Sequence, residues 1–440
     1  MRSHSLVRLL SKDWRELLAS RAYWLLLLMI GPLVGHGFIT AVDLYAEASG
    51  IGGGAAALSQ GLTPLDGILA PTFGAYDLAV MLLFPFVAIR LLAAEKESGA
   101  LKLLLQFPAS LATALSAKAL ALAGGWLVAW VPGLLALVLW KSYGGHLHAP
   151  ETLNLLLGHM LHMALSTGVA VAAAAIAESA ASAAIVTLGF TLGTWALDFV
   201  AAGRGGWLQE VAAYTPAAAL RVFEQGQLRL ATVAVIAALG FGGFVMAAVW
   251  LHTGRGWRHR LLATAVLALS LAAVVGMAGG LRPSWDLSEN RRNSFPPADE
   301  ATLRKIREPL LMKVFLSPED PRFMDLDRGI IGKLKRVLPR LEVEYAASSR
   351  TGLFEDAEDH YGEVWYEMGG RKVMNRSTTE PIVLERLYEL AGLDAPDRSE
   401  ENEFPGYPLA ARPRGASWIF YILWPLATIL AWWLARFQRR

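Results

Sequence analysis

There is no cysteine in this chain of 440 residues. Disulfides, thiolate metal sites and thiol redox chemistry are therefore excluded. Sequence signatures of several chemistries are missing too. No G-x-x-x-x-G-K-[ST] phosphate loop occurs, so ATP is not bound in that manner and its use requires a separate ATPase. Neither H-E-x-x-H nor G-x-S-x-G is found. The basic N-terminus leads into an apolar run that is long and has no convincing small-residue cleavage site, unlike a signal peptide. Charge is sparse: 18% of residues are Asp, Glu, Lys or Arg, against 54% hydrophobic. No catalytic residue, bound cofactor, metal site or nucleic-acid partner is expected.

The apolar residues fall in blocks. A helix needs about 20 of them to cross a bilayer. Eight stretches qualify: residues 22–42, 73–92, 119–140, 155–177, 180–200, 230–251, 261–281 and 417–435. The fold expected is an α-helical polytopic membrane protein with about eight transmembrane helices. A small α+β domain between the last two spans completes it.

Orientation follows from Lys and Arg in the short loops. Arg2, Arg8, Lys12, Arg15 and Arg21 precede the first span. Arg90, Lys96, Lys102 and Lys118 flank the loop between spans two and three. Arg255, Arg258 and Arg260 lie between spans six and seven, and Arg436, Arg439 and Arg440 follow the last. All four segments fall on one side. Both termini are thus expected in the cytoplasm of a bacterial inner-membrane protein, with residues 283–416 in the periplasm.

Five regions are expected. Residues 1–21 form an amphipathic interfacial helix, with Leu6, Leu10, Trp14 and Leu17 on one face and Arg8, Lys12 and Arg15 on another. Residues 22–251 hold six spans. Residues 252–282 are a basic linker and the seventh span. Residues 283–416 are the extracytoplasmic domain, and 417–440 the eighth span with a basic tail. Within the domain, 310–317 and 341–346 read as strands and 330–338 as a helix. Residues 363–368 and 371–375 read as a hairpin turned at Gly369-Gly370, and 381–391 as a helix stopped by Gly392.

Polar residues at membrane depth are few. Asp77 and Asp198 are the carboxylates nearest it, and His159 and His162 stand three apart on one helix. Such groups are functional candidates, as relays or ligands, although buried imidazoles satisfied by carbonyls are commoner. Gly31 and Gly35 make a G-x-x-x-G in the first span, a helix-packing signal.

The most informative segment is AAEKESGALKLLLQFPAS, a polar stretch between two apolar runs. It offers Glu95, Lys96 and Glu97, then Gly99, then an apolar face of Leu101, Leu104 and Leu105, then Pro108. A helix with charged ends and an apolar face suits a groove on a soluble partner. Residues 1–251 resemble the polysaccharide- and drug-exporter class of ABC permeases. In that family an E-[KR]-E-x-G-[TA]-L-x-x-L-L-x-x-P segment is the coupling helix that docks on the ATPase. Glu95, Lys96, Glu97, Gly99, Ala100, Leu101, Leu104, Leu105 and Pro108 match it here.

Residues 260–436 resemble a second family, the gliding-motility-associated auxiliary subunits of ABC transporters. The match rests on Asp286, Leu287, Ser288, Arg292, Ser294 and Phe295. It rests also on the later hairpin and helix from Gly362 to Gly392. The resemblance implies a thioredoxin-like fold without the redox C-x-x-C. The chain departs from that family in length: about 135 external residues make one ordinary domain, whereas the family usually has more.

Together the resemblances imply a non-catalytic permease subunit fused to a truncated auxiliary subunit. Its partners would be a cytoplasmic ATPase dimer carrying ATP and Mg, the lipid membrane, and a second copy or related permease. Export or extraction of a substrate would follow. The alternative is a mechanotransmission module that relays ATPase work to a periplasmic protein partner without transport. An intramembrane enzyme using His159 and His162 is a third reading.

Overall fold

The computed structural model describes residues 2–49, 63–104, 110–201, 207–252, 254–317, 320–346, 360–397, 404 and 406–437. Eight described helical stretches are long and apolar enough to cross a membrane: Arg21–Ser49, Leu65–Glu97, Leu111–Ser142, Ala149–Ile176, Ala180–Ala201, Leu230–Leu251, Trp257–Ala278 and Ala416–Phe437. All eight expected spans are present, and this is a polytopic helical membrane protein with a small sheet in its C-terminal part. The second span is longer than expected and carries Glu95, Lys96 and Glu97 as its last turn. The third span starts at a Ser110 cap, whose side chain accepts from Thr113 N, satisfying an orphan donor of the first turn.

The chain forms two compact units. Residues 1–193, 219–283 and 405–440 make the first, and residues 194–218 and 284–404 the second.

In the first unit, helix α1 (Arg2–Ala19) folds back on the third span. Two adjacent glycines make the seat. A Cβ on Gly124 would fall 2.9 Å from Trp14, and one on Gly125 2.6 Å from Leu17. The sides of the seat are thus already filled by the apolar face read from the sequence. Spans four and six approach most closely. A Cβ on Gly168 would lie 2.2 Å from Gly240 O, and one on Gly243 2.3 Å from Gly168 C. Small residues allow this backbone contact, which is how helices associate in lipid.

The last span packs on the first through the Gly31/Gly35 pair. Trp424 covers Gly31, Phe420 covers Gly35, and Trp424 Nε1 donates to Leu27 O at 2.6 Å. The G-x-x-x-G signal is therefore used within the chain. The tether before the last span is held as well. Tyr45 Oη donates to Tyr407 O at 2.8 Å and Tyr143 Oη to Arg414 O at 2.9 Å.

The second unit is built on four strands: β1 (Leu310–Val314), β2 (Leu341–Tyr345), β3 (Val364–Met368) and β4 (Arg371–Asn375). Their order is β2-β1-β3-β4. β1 and β2 are parallel, with Leu310 opposite Leu341. β1 and β3 are antiparallel, as are β3 and β4. Gly369 and Gly370 both take positive φ at the hairpin turn, the conformation a two-residue turn requires. Alternate residues Leu310, Met312 and Val314 of β1, and Val364, Tyr366 and Met368 of β3, are buried. Val383, Leu384 and Leu387 of the helix Glu380–Ala391 join the same core, and that helix ends at Gly392 with φ 67°.

The entry to this unit is knotted by one carboxylate. Asp286 accepts from Ser288 N at 3.1 Å, Asn293 N at 2.9 Å and Ser294 Oγ at 2.7 Å. Phe295, next in sequence, is buried in the core. This explains in physical terms why Asp286, Ser288, Ser294 and Phe295 stand where they do.

Candidate functional site

The segment 95–108 begins inside the protein. Glu95 and Lys118 are only 4% and 2% exposed. Glu95 Oε2 lies 2.8 Å from Lys118 Nζ, and Lys118 Nζ lies 3.1 Å from Asp13 Oδ1. Lys12 also pairs with Glu95, and Lys118 donates to Leu91 O at 3.2 Å. A charge buried this deeply needs a partner and hydrogen bonds. Here two carboxylates and two ammonium groups satisfy one another across α1, the second span and the third.

The next two residues reach elsewhere. Lys96 Nζ donates to Ala175 O at 2.8 Å and to Ala177 O at 2.5 Å. These are the final carbonyls of the fourth span. Glu97 Oε1 accepts from Ala180 N at 3.1 Å, at the first turn of the fifth. A cation thus meets a helix C-terminus and an anion a helix N-terminus, each matched to the sign of the helix dipole. The E-K-E triplet therefore ties the end of the second span to α1, the third span and the turn between spans four and five.

Gly99 follows with φ 75°, and nothing lies within 4 Å of where its Cβ would be. Helix α2 (Ala100–Leu104) starts there. Its Leu101 is buried and Leu104 half-buried, while Leu103 is 61% exposed. Leu105 and Pro108 lie outside the described residues. Beside this corner is a cavity of about 300 Å³ lined by Glu16, Leu17, Arg90, Glu95, Ser98 and Ala100.

A second polar group lies among the spans. Asp77 on the second span and His162 on the fourth face each other, Oδ1 to Nε2, at 3.1 Å. His159, fully buried, points its Nε2 toward Glu224 Oε1 at 4.0 Å. Glu224 ends helix α3 (Pro216–Glu224), which lies outside the eight spans. Neither ring nitrogen of His159 has a hydrogen-bond partner among the described residues. Phe73 and Tyr76 pack against its ring, with centroids 5.6 and 6.4 Å away. Burial, and then the nearby Asp77, push the Glu224 carboxyl up to about 7, against the lowering effect of His162 and Arg221.

Three of the four membrane-depth candidates, Asp77, His159 and His162, are therefore brought together. Asp198 is half-buried on the fifth span, in residues assigned to the second compact unit. Glu224 and Arg221 were not singled out from sequence. The available signal was the amphipathic pattern of residues 217–223.

α3 is held on the fourth span by close contact. A Cβ on Gly158 would fall 2.4 Å from Phe223, and Asn154 Nδ2 donates to Phe223 O at 3.2 Å. Glu224 is thus delivered to His159 by backbone that has little room to shift.

Residues 7–212 match the family model described as ABC-2 family transporter protein. The match covers a little under half of the chain and includes α1, the first five spans and the segment 95–108. No curated protein compared with the chain matches it, and no solved structure does.

Proposed function

We propose that this chain is the membrane permease subunit of an ABC transporter, driven by a separate cytoplasmic ATPase pair. The similarity of residues 7–212 to ABC-2 transporters supports the class. One structural observation carries the coupling reading. Glu95, Lys96 and Glu97 join the corner at residues 98–104 to α1, to the third span and to the turn between spans four and five. A push on α2 would be felt by all of these elements at once. Leu103, exposed on α2, is the apolar side chain free to meet a soluble partner.

In this reading the 95–108 end of the second span faces the cytoplasm with both termini, and residues 283–416 face the periplasm. ATP and Mg sit on the partner. A second copy or a related permease completes the assembly, and a substrate is exported or extracted. The order β2-β1-β3-β4, with one parallel and two antiparallel pairings, supports a thioredoxin-like external unit.

The test is co-purification. Leu103→Asp is expected to lose the ATPase from detergent-solubilised membranes while the chain itself accumulates normally. Retention of the ATPase at the wild-type ratio defeats the docking assignment.

A second reading, mechanotransmission to a periplasmic partner, is favoured by the seating of Trp424 and Phe420 on Gly31 and Gly35. That contact would carry first-span motion into the closing span. Gly31→Leu should then uncouple ATPase turnover from the external response and leave the ATPase bound.

A further inference from the structure

The polar group on spans two and four contains more chemistry than helix packing needs. Asp77 and Glu224 lie beside two imidazoles and Arg221 acts on both carboxylates, all held by three elements. With both carboxylates ionised and both imidazoles neutral, the group carries a net charge of minus one. His159 and His162 are buried and the two carboxylates half-buried, and an unmatched charge in such a site is costly. One added proton makes the group neutral.

The geometry suits a proton better than a larger cation. The two acid–imidazole separations, 3.1 and 4.0 Å, are distances across which a proton passes directly or after a small closure. Among the described residues, the groupings of three or more His, Asp or Glu whose ligand atoms all lie within 4.8 Å of one another do not include these four. The ligand atoms therefore do not converge on one metal position. His159 adds a second sign: it is completely buried, and neither ring nitrogen is hydrogen-bonded among the described residues. Such a group costs about 1 to 3 kcal/mol unless it is used.

We propose that Asp77, His162, His159 and Glu224 form a proton-binding site in the membrane region, and that its occupancy holds α3 against the fourth span. The proton on the Glu224 carboxyl is shared toward His159 Nε2, and transfer leaves a carboxylate beside an imidazolium. When the site loses its extra proton, the Glu224 and Asp77 carboxylates repel and α3 is loosened. Among the groups facing Glu224 are Asp77 from the second span, His159 and His162 from the fourth, and Arg221 on its own helix. This inference does not depend on the transporter reading.

The test uses the full chain in lipid nanodiscs. Infrared difference spectra between about pH 5 and about pH 8, a range bracketing imidazole titration, should show a protonated-carboxyl band that disappears at the higher pH. The band should be missing in Glu224→Gln. Hydrogen exchange of residues 216–224, corrected for intrinsic rates, should rise over the same interval in the wild type and stay flat in Glu224→Gln. Arg221→Gln removes a positive charge, so its midpoint should move up by about one pH unit. Where Glu224→Gln fails to fold, Arg221→Gln and the wild-type exchange profile still decide. A titrating band that persists in Glu224→Gln overturns the proposal, as does pH-independent exchange in the wild type. A single zinc ion bound by the wild type, lost in His159→Gln and displacing the band, would also overturn it by assigning the group to a metal.

Discussion

Lys118, in the third span, approaches Glu95, in the second, to 2.8 Å, and both side chains are withdrawn from solvent. Removing Lys118 leaves two buried carboxylates, Glu95 and Asp13, to share the one ammonium of Lys12. Lys118→Met is therefore expected to cost about 3 to 5 kcal/mol. Glu95→Gln should cost less, because Lys118 keeps Asp13 at 3.1 Å. Tryptophan-fluorescence melts of the detergent-purified protein measure both. Equal melting temperatures for Lys118→Met and the wild type would show that the cluster contributes nothing.

Lys96 and Glu97 make a different prediction because their partners are backbone groups at helix ends. Each contact with a helix terminus is worth about 0.3 to 1 kcal/mol. Exchanging the two, Lys96→Glu with Glu97→Lys, places each charge against the wrong end of its helix. Stability should fall by about 1 to 2 kcal/mol, and cleavage at Glu178, in the turn between spans four and five, by a glutamate-specific protease should quicken. Unchanged cleavage would show that the turn is held without them.

Leu101 and Leu103 should separate folding from docking. Leu101→Asp buries a charge and is expected to lower the yield of folded chain, whereas Leu103→Asp changes an exposed position. The sharp outcome is ATPase loss in Leu103→Asp with an unaltered melting temperature. Loss of ATPase together with loss of fold in both would leave docking unsupported.

The missing cysteines make topology easy to test, since any introduced thiol is the only one. Lys372→Cys, at an exposed position of β4, should react with a membrane-impermeant maleimide on spheroplasts. Leu103→Cys should react only after permeabilisation. Labelling of both from outside contradicts the orientation.

The Arg322 guanidinium holds the Asp320 carboxyl at about 2, with help from the Tyr361 hydroxyl. A lowered carboxylate stabilises the folded state above its ordinary value near 4, and that increment disappears as pH falls toward about 2. Because Arg322 is largely exposed, the increment is under about 1 kcal/mol. Hydrogen exchange over β1 and β3 should be faster in Arg322→Ala than in the wild type at neutral pH. The two should converge at about pH 2, and a constant gap would contradict the linkage.

Much of the architecture was legible because hydropathy and turn chemistry act locally. The eight spans follow from length and composition, and the β3–β4 hairpin from Gly369-Gly370. The burial of Glu95 was not legible. Its partners Lys12 and Lys118 lie 83 and 23 residues away, and no local pattern couples them. The orientation of α2 was hidden for another reason. Gly99 takes a left-handed conformation, so the helical phase restarts at Ala100 and a face extrapolated from Glu97 does not continue. Leu103, not Leu101, then turns outward. The meeting of Asp77 with His162, and of His159 with Glu224, depends on which helices pack together, and spacing along a single helix carries no record of that.

The notch at Gly31 and Gly35 also bears on synthesis. The first span enters the membrane early, but the side chains that fill its notch belong to residues 420 and 424. A ribosome adds nearly four hundred residues between making the socket and making the plug. During that interval the notch faces lipid or another helix, and a nascent chain stalled or cut before residue 420 would expose it to quality-control proteases that sense unpaired spans.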